Sequence, residues 1–393
     1  MEKLNFFDDL LHYCLDNKDT LGKRDVIASL SYMRTLRNFN LSNPMFKEYS
    51  DFICSNLDMF TTSLHLVIHR FGVLGYNPAL LKIYECHLKN KIESFDPKQL
   101  CLIGWSYAKS NVYIQDLFER IAAAYFYRKD LWNLTDDSLM LWSFSKIERR
   151  VPQEIADLRN DILETLQSIV SALRNPEEPI DKRVTRYLDN DRLFIANVPH
   201  DVCMASKALA TLVPRDKQSV KRMVELLLEV VKIANLSLTA QGITSLWESL
   251  SLAAISDPDI VNNLCEVSRY LRLDHSFNSN MLNAILTAIH ALKIHDPRVV
   301  YQIVHWLEKR AVQMHPPQIY NAICILDDMG IYHDKAWKQL GVIIQKKGID
   351  LELSDLRRVY NIFKRNGKGN DRIFGILEHF LSCKEDTELY GPQ

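Results

Sequence analysis

The sequence is short of the residues that break helices. Twelve glycines and thirteen prolines make up about 6% of its 393 residues, where average usage gives about 12%. So few tight turns leave little room for an all-β fold and exclude collagen-like and mucin-like chains. A surplus of either charge is missing too: 48 Lys and Arg face 49 Asp and Glu, for a net charge of -1. With the pI near 6.9, no global field draws the chain to nucleic acid or an anionic membrane, so any such contact has to be local. None of the eight cysteines (14, 54, 86, 101, 203, 265, 324 and 383) forms a CxxC pair. That excludes zinc ribbons, fingers and thioredoxin-type motifs. Free, mostly buried thiols of a reducing compartment are expected. No apolar run approaches the ~18 residues of a membrane span. Glu2, Asp8, Asp9, Asp16 and Asp19 are the wrong charge for a secretory or transit peptide. The expectation is a soluble intracellular chain, any targeting segment absent or already removed, with no membrane, small-molecule substrate, metal or cofactor among its partners.

What is present is helical period. Apolar residues recur at three and four, as in Leu226, Leu227, Val230, Val231 and Ala234, or Val299, Ile303, Trp306 and Leu307. Two segments also match each other, LIGWSYAKS at 102–110 and LMLWSFSKI at 139–147. They set Trp105 and Trp142, Ser106 and Ser143, and Lys109 and Lys146 each 37 apart. A second register runs through SDPDIV (256–261), HDPRVV (295–300), HDKAW (333–337) and NDRIF (370–374). Its aspartates, Asp257, Asp296, Asp334 and Asp371, lie 39, 38 and 37 apart, each three before a large apolar residue: Ile260, Val299, Trp337 and Phe374. An aspartate that accepts orphan N–H bonds, ahead of a core residue in the first turn, reads as a helix N-cap. Asn43-Pro44 and Asn77-Pro78 read the same way.

The fold class predicted is all-α: an α-solenoid of about nine helix–turn–helix repeats of roughly 37–39 residues, after an N-terminal helix. One hairpin cannot bury its apolar face alone, so neighbours must stack. Units are expected to begin near 23, 61, 96, 134, 198, 237, 276, 315 and 352. Residues 174–192 carry ten charges and two prolines and no apolar period. They read as a charged loop or hinge between 1–173 (N-terminal helix and repeats 1–4) and 193–393 (repeats 5–9 and a polar tail), or as a linker between separate domains.

On the 37-residue spacing and the helix pattern L-x-x-W-S-[FY]-[AS]-K, the chain resembles the heptatricopeptide type of helical repeat. Those repeats occur in organellar RNA-binding proteins that often end in a RAP domain. Octotricopeptide repeats have a similar leucine- and tryptophan-rich first helix. The resemblance is best over 95–170, weaker over 198–385 and poor before 60. It implies a mitochondrial setting and a part in RNA processing, RNA stability or ribosome assembly, with RNA as partner and ribosomal or other proteins along the solenoid. The C-terminus, ILEHFLSCKEDTELYGPQ, departs from that pattern: it reads as a last helix and polar tail with no RAP-like α/β segment.

Catalytic motifs are absent. Gly367-Lys368-Gly369 is a charged turn, not a phosphate loop, and no G-x-S-x-G or H-E-x-x-H occurs. His65 and His69, at i and i+4, share a helix face but find no third ligand in the sequence. Trp105 and Trp142 could stack on unpaired bases, although their apolar flanks favour core packing. Carrying the aspartate register back to the first helix of each repeat gives two columns: Gln241, Asn280, Gln318 and Asp355, and three residues on, Thr244, Asn283, Asn321 and Arg358. Amides offer donor and acceptor together, which suits base edges of single-stranded RNA; they would equally suit a solvated face or bonds that fix repeat register. Residues 335–372 add ten Lys and Arg against four acids. Among them Arg357, Arg358, Lys364, Arg365 and Lys368, with Tyr360 between, suit phosphate contact or a solvated terminal cap. The function expected is a non-enzymatic organellar RNA binder; the alternative is a HEAT- or armadillo-like protein scaffold without RNA.

Overall fold

The computed structural model describes residues 6–175, 184, 185, 187, 193–268 and 277–390. Among them are nineteen α-helices and no strand. After α1 (Phe7–Asp16) the helices follow as nine hairpins. In the first part these are α2 (Lys23–Met33) with α3 (Pro44–Ser55), α4 (Leu64–Leu74) with α5 (Asn77–Cys86), α6 (Pro97–Lys109) with α7 (Gln115–Phe126), and α8 (Leu134–Lys146) with α9 (Pro152–Arg174). Next come α10 (Leu193–Leu212) with α11 (Lys217–Ile233) and α12 (Ala240–Leu252) with α13 (Pro258–Ser268). The last three are α14 (Ser279–Ala291) with α15 (Pro297–Arg310), α16 (Pro316–Asp328) with α17 (Asp334–Lys347), and α18 (Leu353–Arg365) with α19 (Asp371–Tyr390). The all-α repeat fold is the one the spacing predicts.

Two compact units divide inside α9, Met1–Thr165 and Leu166–Gln393. In the first, α2, α4, α6 and α8 stack in one row, and α1, α3 and α5 in the other. In the second, α10, α12, α14, α16 and α18 form the first-helix row and α11, α13, α15, α17 and α19 the second. Each unit is therefore a stretch of α-solenoid. The charged stretch 174–192 lies largely outside the described residues; of it, Arg174 ends α9, and Val184 and Tyr187 are buried.

Capping residues set where the hairpins turn. Asn43, Asp96, Asn133, Thr239, Asn278 and Asp296 each accept a backbone N–H of the helix that follows, as does Asp257 from Asp259 and Ile260. Three caps differ from the sequence reading. His333 precedes α17, and Asn370 Oδ1 accepts from Ile373 N at 2.9 Å. Asp334 and Asp371 are thus first helical residues, where their charge still favours the positive end of the helix dipole. Asn77 likewise lies inside α5, with Tyr76 at its cap.

Packing between neighbouring helices of a row is close enough to demand small residues. A Cβ at Gly72 on α4 would lie 2.6 Å from Ser106 Cβ on α6, and Ser110 Oγ donates to Gly72 O at 3.3 Å. Ser106 and Ser143 are fully buried, marking the close helix approach that their spacing suggested. The core fills with Trp247, Trp306, Trp337, Tyr49, Tyr107 and Tyr125, all fully buried. Six cysteines are buried, Cys86 is exposed, Cys383 is half-buried, and none is disulfide-bonded. Among the described residues no helix is long and apolar enough to cross a membrane, and no group of three or more His, Cys, Asp or Glu could hold a metal.

Candidate nucleic-acid interface

First helices one repeat apart lie side by side, so side chains 38 residues apart meet. Gln318 Nε2 on α16 donates to Asn280 Oδ1 on α14 at 2.6 Å, while its own Oε1 accepts the backbone N–H of His315 and helps cap α16. One turn on, Asn321 Nδ2 donates to Asn283 Oδ1 at 2.9 Å and to Thr287 Oγ1 at 3.0 Å. These four amides form two adjacent columns at the solvent edge of the row. Asn280 is exposed and the other three are half-buried. The amide nitrogens of Asn280 and Asn283 and the Oδ1 of Asn321 make no hydrogen bond among the described residues, and so stay open to a ligand.

The columns do not extend as far as the spacing suggested. Thr244 is buried, its Oγ1 donating to Ala240 O at 2.8 Å within its own helix. Here α12 packs more closely on α10 and α14 than α14 does on α16. Gln241 is exposed but makes no hydrogen bond to Asn280, and Asp355 is half-buried in the first turn of α18. Arg358 lies one repeat beyond Asn321 but does not bond to it: its guanidinium reaches Tyr320 Oη at 3.5 Å and Asp328 Oδ2 at 4.0 Å on α16.

The basic residues of α18 divide between two faces. Arg357 pairs with Glu385 on α19 at 2.7 Å, and Tyr360 Oη donates to Glu378 at 2.6 Å. Lys364 lies over the Tyr360 ring, 5.4 Å from its centroid. On the face towards α16, Arg365 pairs with Asp327, a buried carboxylate that also accepts from Asn366 at 2.7 Å and Tyr332 at 3.1 Å. Lys368 donates to Asp334 at 2.6 Å and to Tyr332 O at 3.1 Å. Arg357, Arg365 and Lys368 therefore spend their charge within the fold, and Tyr360 spends its hydroxyl there. Lys364 remains exposed without a close carboxylate, and Arg358 is exposed with Asp328 Oδ2 at 4.0 Å.

The first unit carries an aromatic row on the same helix of each hairpin. His69 on α4, Trp105 on α6 and Trp142 on α8 have ring centroids 5.1 and 6.0 Å apart in succession. All three are half-buried, so the tryptophans are not the core residues their apolar flanks suggested. Lys109 Nζ sits 4.6 Å from the Trp105 ring centroid and Lys146 Nζ 5.4 Å from that of Trp142. Burial, with Arg70 and Lys109 acting the same way, holds His69 down to about 4, so its ring is neutral at physiological pH. Sequence reasoning weighed His69 only as a metal ligand and missed its place in the row, although its spacing of 36 to Trp105 belongs to the same register. Among the described residues His65 belongs to no group of three or more metal-ligating side chains.

No family model matches the chain, and no curated protein matches it. Among solved structures it is similar to the pentatricopeptide repeat protein PPR10 in complex with an 18-nt psaJ RNA element, and to a cysteine-to-serine variant of that protein in the same complex. In both, identity is 11% and the TM-score 0.25, over 98% of this chain and 65% of that one. The chain thus spans just under two thirds of their length. At that TM-score the class rests on this chain's own stacked hairpins. It is an all-α helical-repeat protein.

Proposed function

We propose that this protein binds single-stranded RNA along the first-helix row of its second unit and catalyses no reaction on it. The observation that carries the reading is the pair of amide columns, Asn280 with Gln318 and Asn283 with Asn321, held one repeat apart at the solvent edge. Open amide groups at regular spacing can meet base edges that single strands leave unpaired. Arg358 and Lys364, at the end of the row, supply charge for phosphates. The proposed setting is the mitochondrion, with ribosomal or other organellar RNA as target and ribosomal proteins as neighbours. Its support is the likeness of residues 102–110 and 139–147 to heptatricopeptide repeats.

One observation favours a protein-binding scaffold instead: four of the five basic residues singled out around α18 are ion-paired within the fold, Arg358 with the longest contact. Anisotropy of labelled single-stranded RNA, with the full chain and with Asn283→Ala/Asn321→Ala, separates the two. RNA binding weakened about tenfold by the double variant, the effect of a few lost polar contacts, is the expected result. Absence of RNA binding gives the scaffold reading precedence.

A further inference from the structure

The aromatic row of the first unit has properties that helix packing does not require. Of six tryptophans, Trp132, Trp247, Trp306 and Trp337 are buried, whereas Trp105 and Trp142 keep solvent contact on successive helices. Lys109 and Lys146 make no ion pair among the described residues; each lies against its tryptophan ring. Arg34 and Arg70 add charge at the same row. The Arg34 guanidinium donates to Val73 O on α4 at 3.3 Å, and Arg70 Nε is buried without a hydrogen-bond partner. Rings at repeat spacing, fringed by four cations that carboxylates leave unpaired, match a ligand that alternates planar rings with negative charge.

We infer that the row His69–Trp105–Trp142, with Lys109 and Lys146, is a second contact surface for single-stranded nucleic acid, on which bases stack without being read. The inference rests on the RNA-binding reading above but names different residues in a different unit. Stacking tolerates any base because every base has a π face, so this surface supplies grip while the amide columns supply choice. The lysines swing from ring to phosphate as the strand arrives. An exposed cation–π contact is weak enough to exchange for a charge-assisted one. The neutral His69 ring extends the row without competing for the phosphates.

Tryptophan fluorescence tests this directly, because only the two half-buried indoles can meet a base. A short oligouridylate is titrated into the full-length protein, read by quenching and, in parallel, by anisotropy of the labelled oligonucleotide. The expected result is quenching that tracks binding. Trp105→Phe/Trp142→Phe, which keeps a ring at each place, should bind within a few-fold and lose the quench. Lys109→Glu/Lys146→Glu should bind about tenfold more weakly. Circular dichroism melting checks that each variant is folded. Oligonucleotide bound by anisotropy with no quench, or bound equally well by the lysine variant, overturns this inference and leaves the amide columns standing. Quenching that survives unchanged in Asn283→Ala/Asn321→Ala, with unchanged affinity, supports the row and overturns the amide columns. A chain that binds no oligonucleotide overturns both.

Discussion

Asn321 Nδ2 is shared between Asn283 Oδ1 at 2.9 Å and Thr287 Oγ1 at 3.0 Å, both on the preceding first helix. A single amide thus ties α16 to α14 and fixes their relative rotation. The same geometry holds the two columns level at the solvent edge. Stability and recognition therefore meet in one residue.

Asn321→Ala should cost about 1–2 kcal/mol of stability, two half-exposed hydrogen bonds at their usual net worth. A chemical denaturation midpoint checks this. Asn321→Asp should cost less. The Asn283 amide can rotate to donate, and the Thr287 hydroxyl, which now donates to Asn283 O, can turn to do the same.

Arg365 and Lys364 are neighbours with opposite expected behaviour. Arg365 closes a clip on the buried Asp327, so Arg365→Ala should lower stability by about 1–2 kcal/mol and leave the salt dependence of RNA binding unchanged. Lys364 meets only the Tyr360 ring and hydroxyl. Lys364→Ala should leave stability nearly unchanged and flatten the slope of log affinity against log salt by about 0.7.

Asp137 gives a pH signature. It is fully buried, and Tyr125 Oη donates to its Oδ1 at 2.5 Å. Burial first, then the hydrogen bond and charge of Asp161, push its carboxyl well above the ordinary range, against the opposing Tyr125 bond; Asp136 adds to the rise. A folded-state pKa above the unfolded one means the folded protein holds an extra proton. Its stabilising effect is complete below about pH 4, the unfolded carboxylate's range, and is lost as pH rises towards the folded value. Asp137→Asn stays neutral throughout. The variant should gain on the natural chain as pH rises from about 4 to about 8, followed by thermal midpoints across that range. Parallel pH profiles would show that Asp137 is charged in the fold.

Gly72→Ala should be destabilising despite alanine's better helix propensity, which is worth about 1 kcal/mol. The new Cβ would lie 2.6 Å from Ser106 Cβ and 2.8 Å from Ser106 Cα, so two helices must separate, at about 1–3 kcal/mol. Adding Ser106→Gly should recover part of the loss. A denaturation midpoint unchanged by Gly72→Ala contradicts the close approach.

The hairpins were legible because apolar period and capping residues are local properties of the chain. Units expected near 96, 134, 237, 276, 315 and 352 begin within a few residues of α6, α8, α12, α14, α16 and α18. The register slipped by one at Asp334 and Asp371 because an aspartate beside a cap has the same composition as a cap. Thr244 was placed on a surface column because nothing in α12 reveals how closely α10 and α14 pack on it; Ser245 and Ser249, equally polar, are buried there too. Neutralisation around α18 was invisible for a different reason. Glu385, Asp327 and Asp334 lie 28 to 38 residues from the cations they meet, a separation only the stacked fold closes.

The measurement that bears most directly on the account is the affinity of the full-length chain for single-stranded RNA at low and moderate salt. With three to four phosphates neutralised, the account predicts a fall of about twenty- to fiftyfold between about 50 and about 200 mM salt. Arg358→Glu/Lys364→Glu should bind more weakly and show a flatter slope. No binding at low salt, or binding indifferent both to salt and to those two reversals, would contradict it.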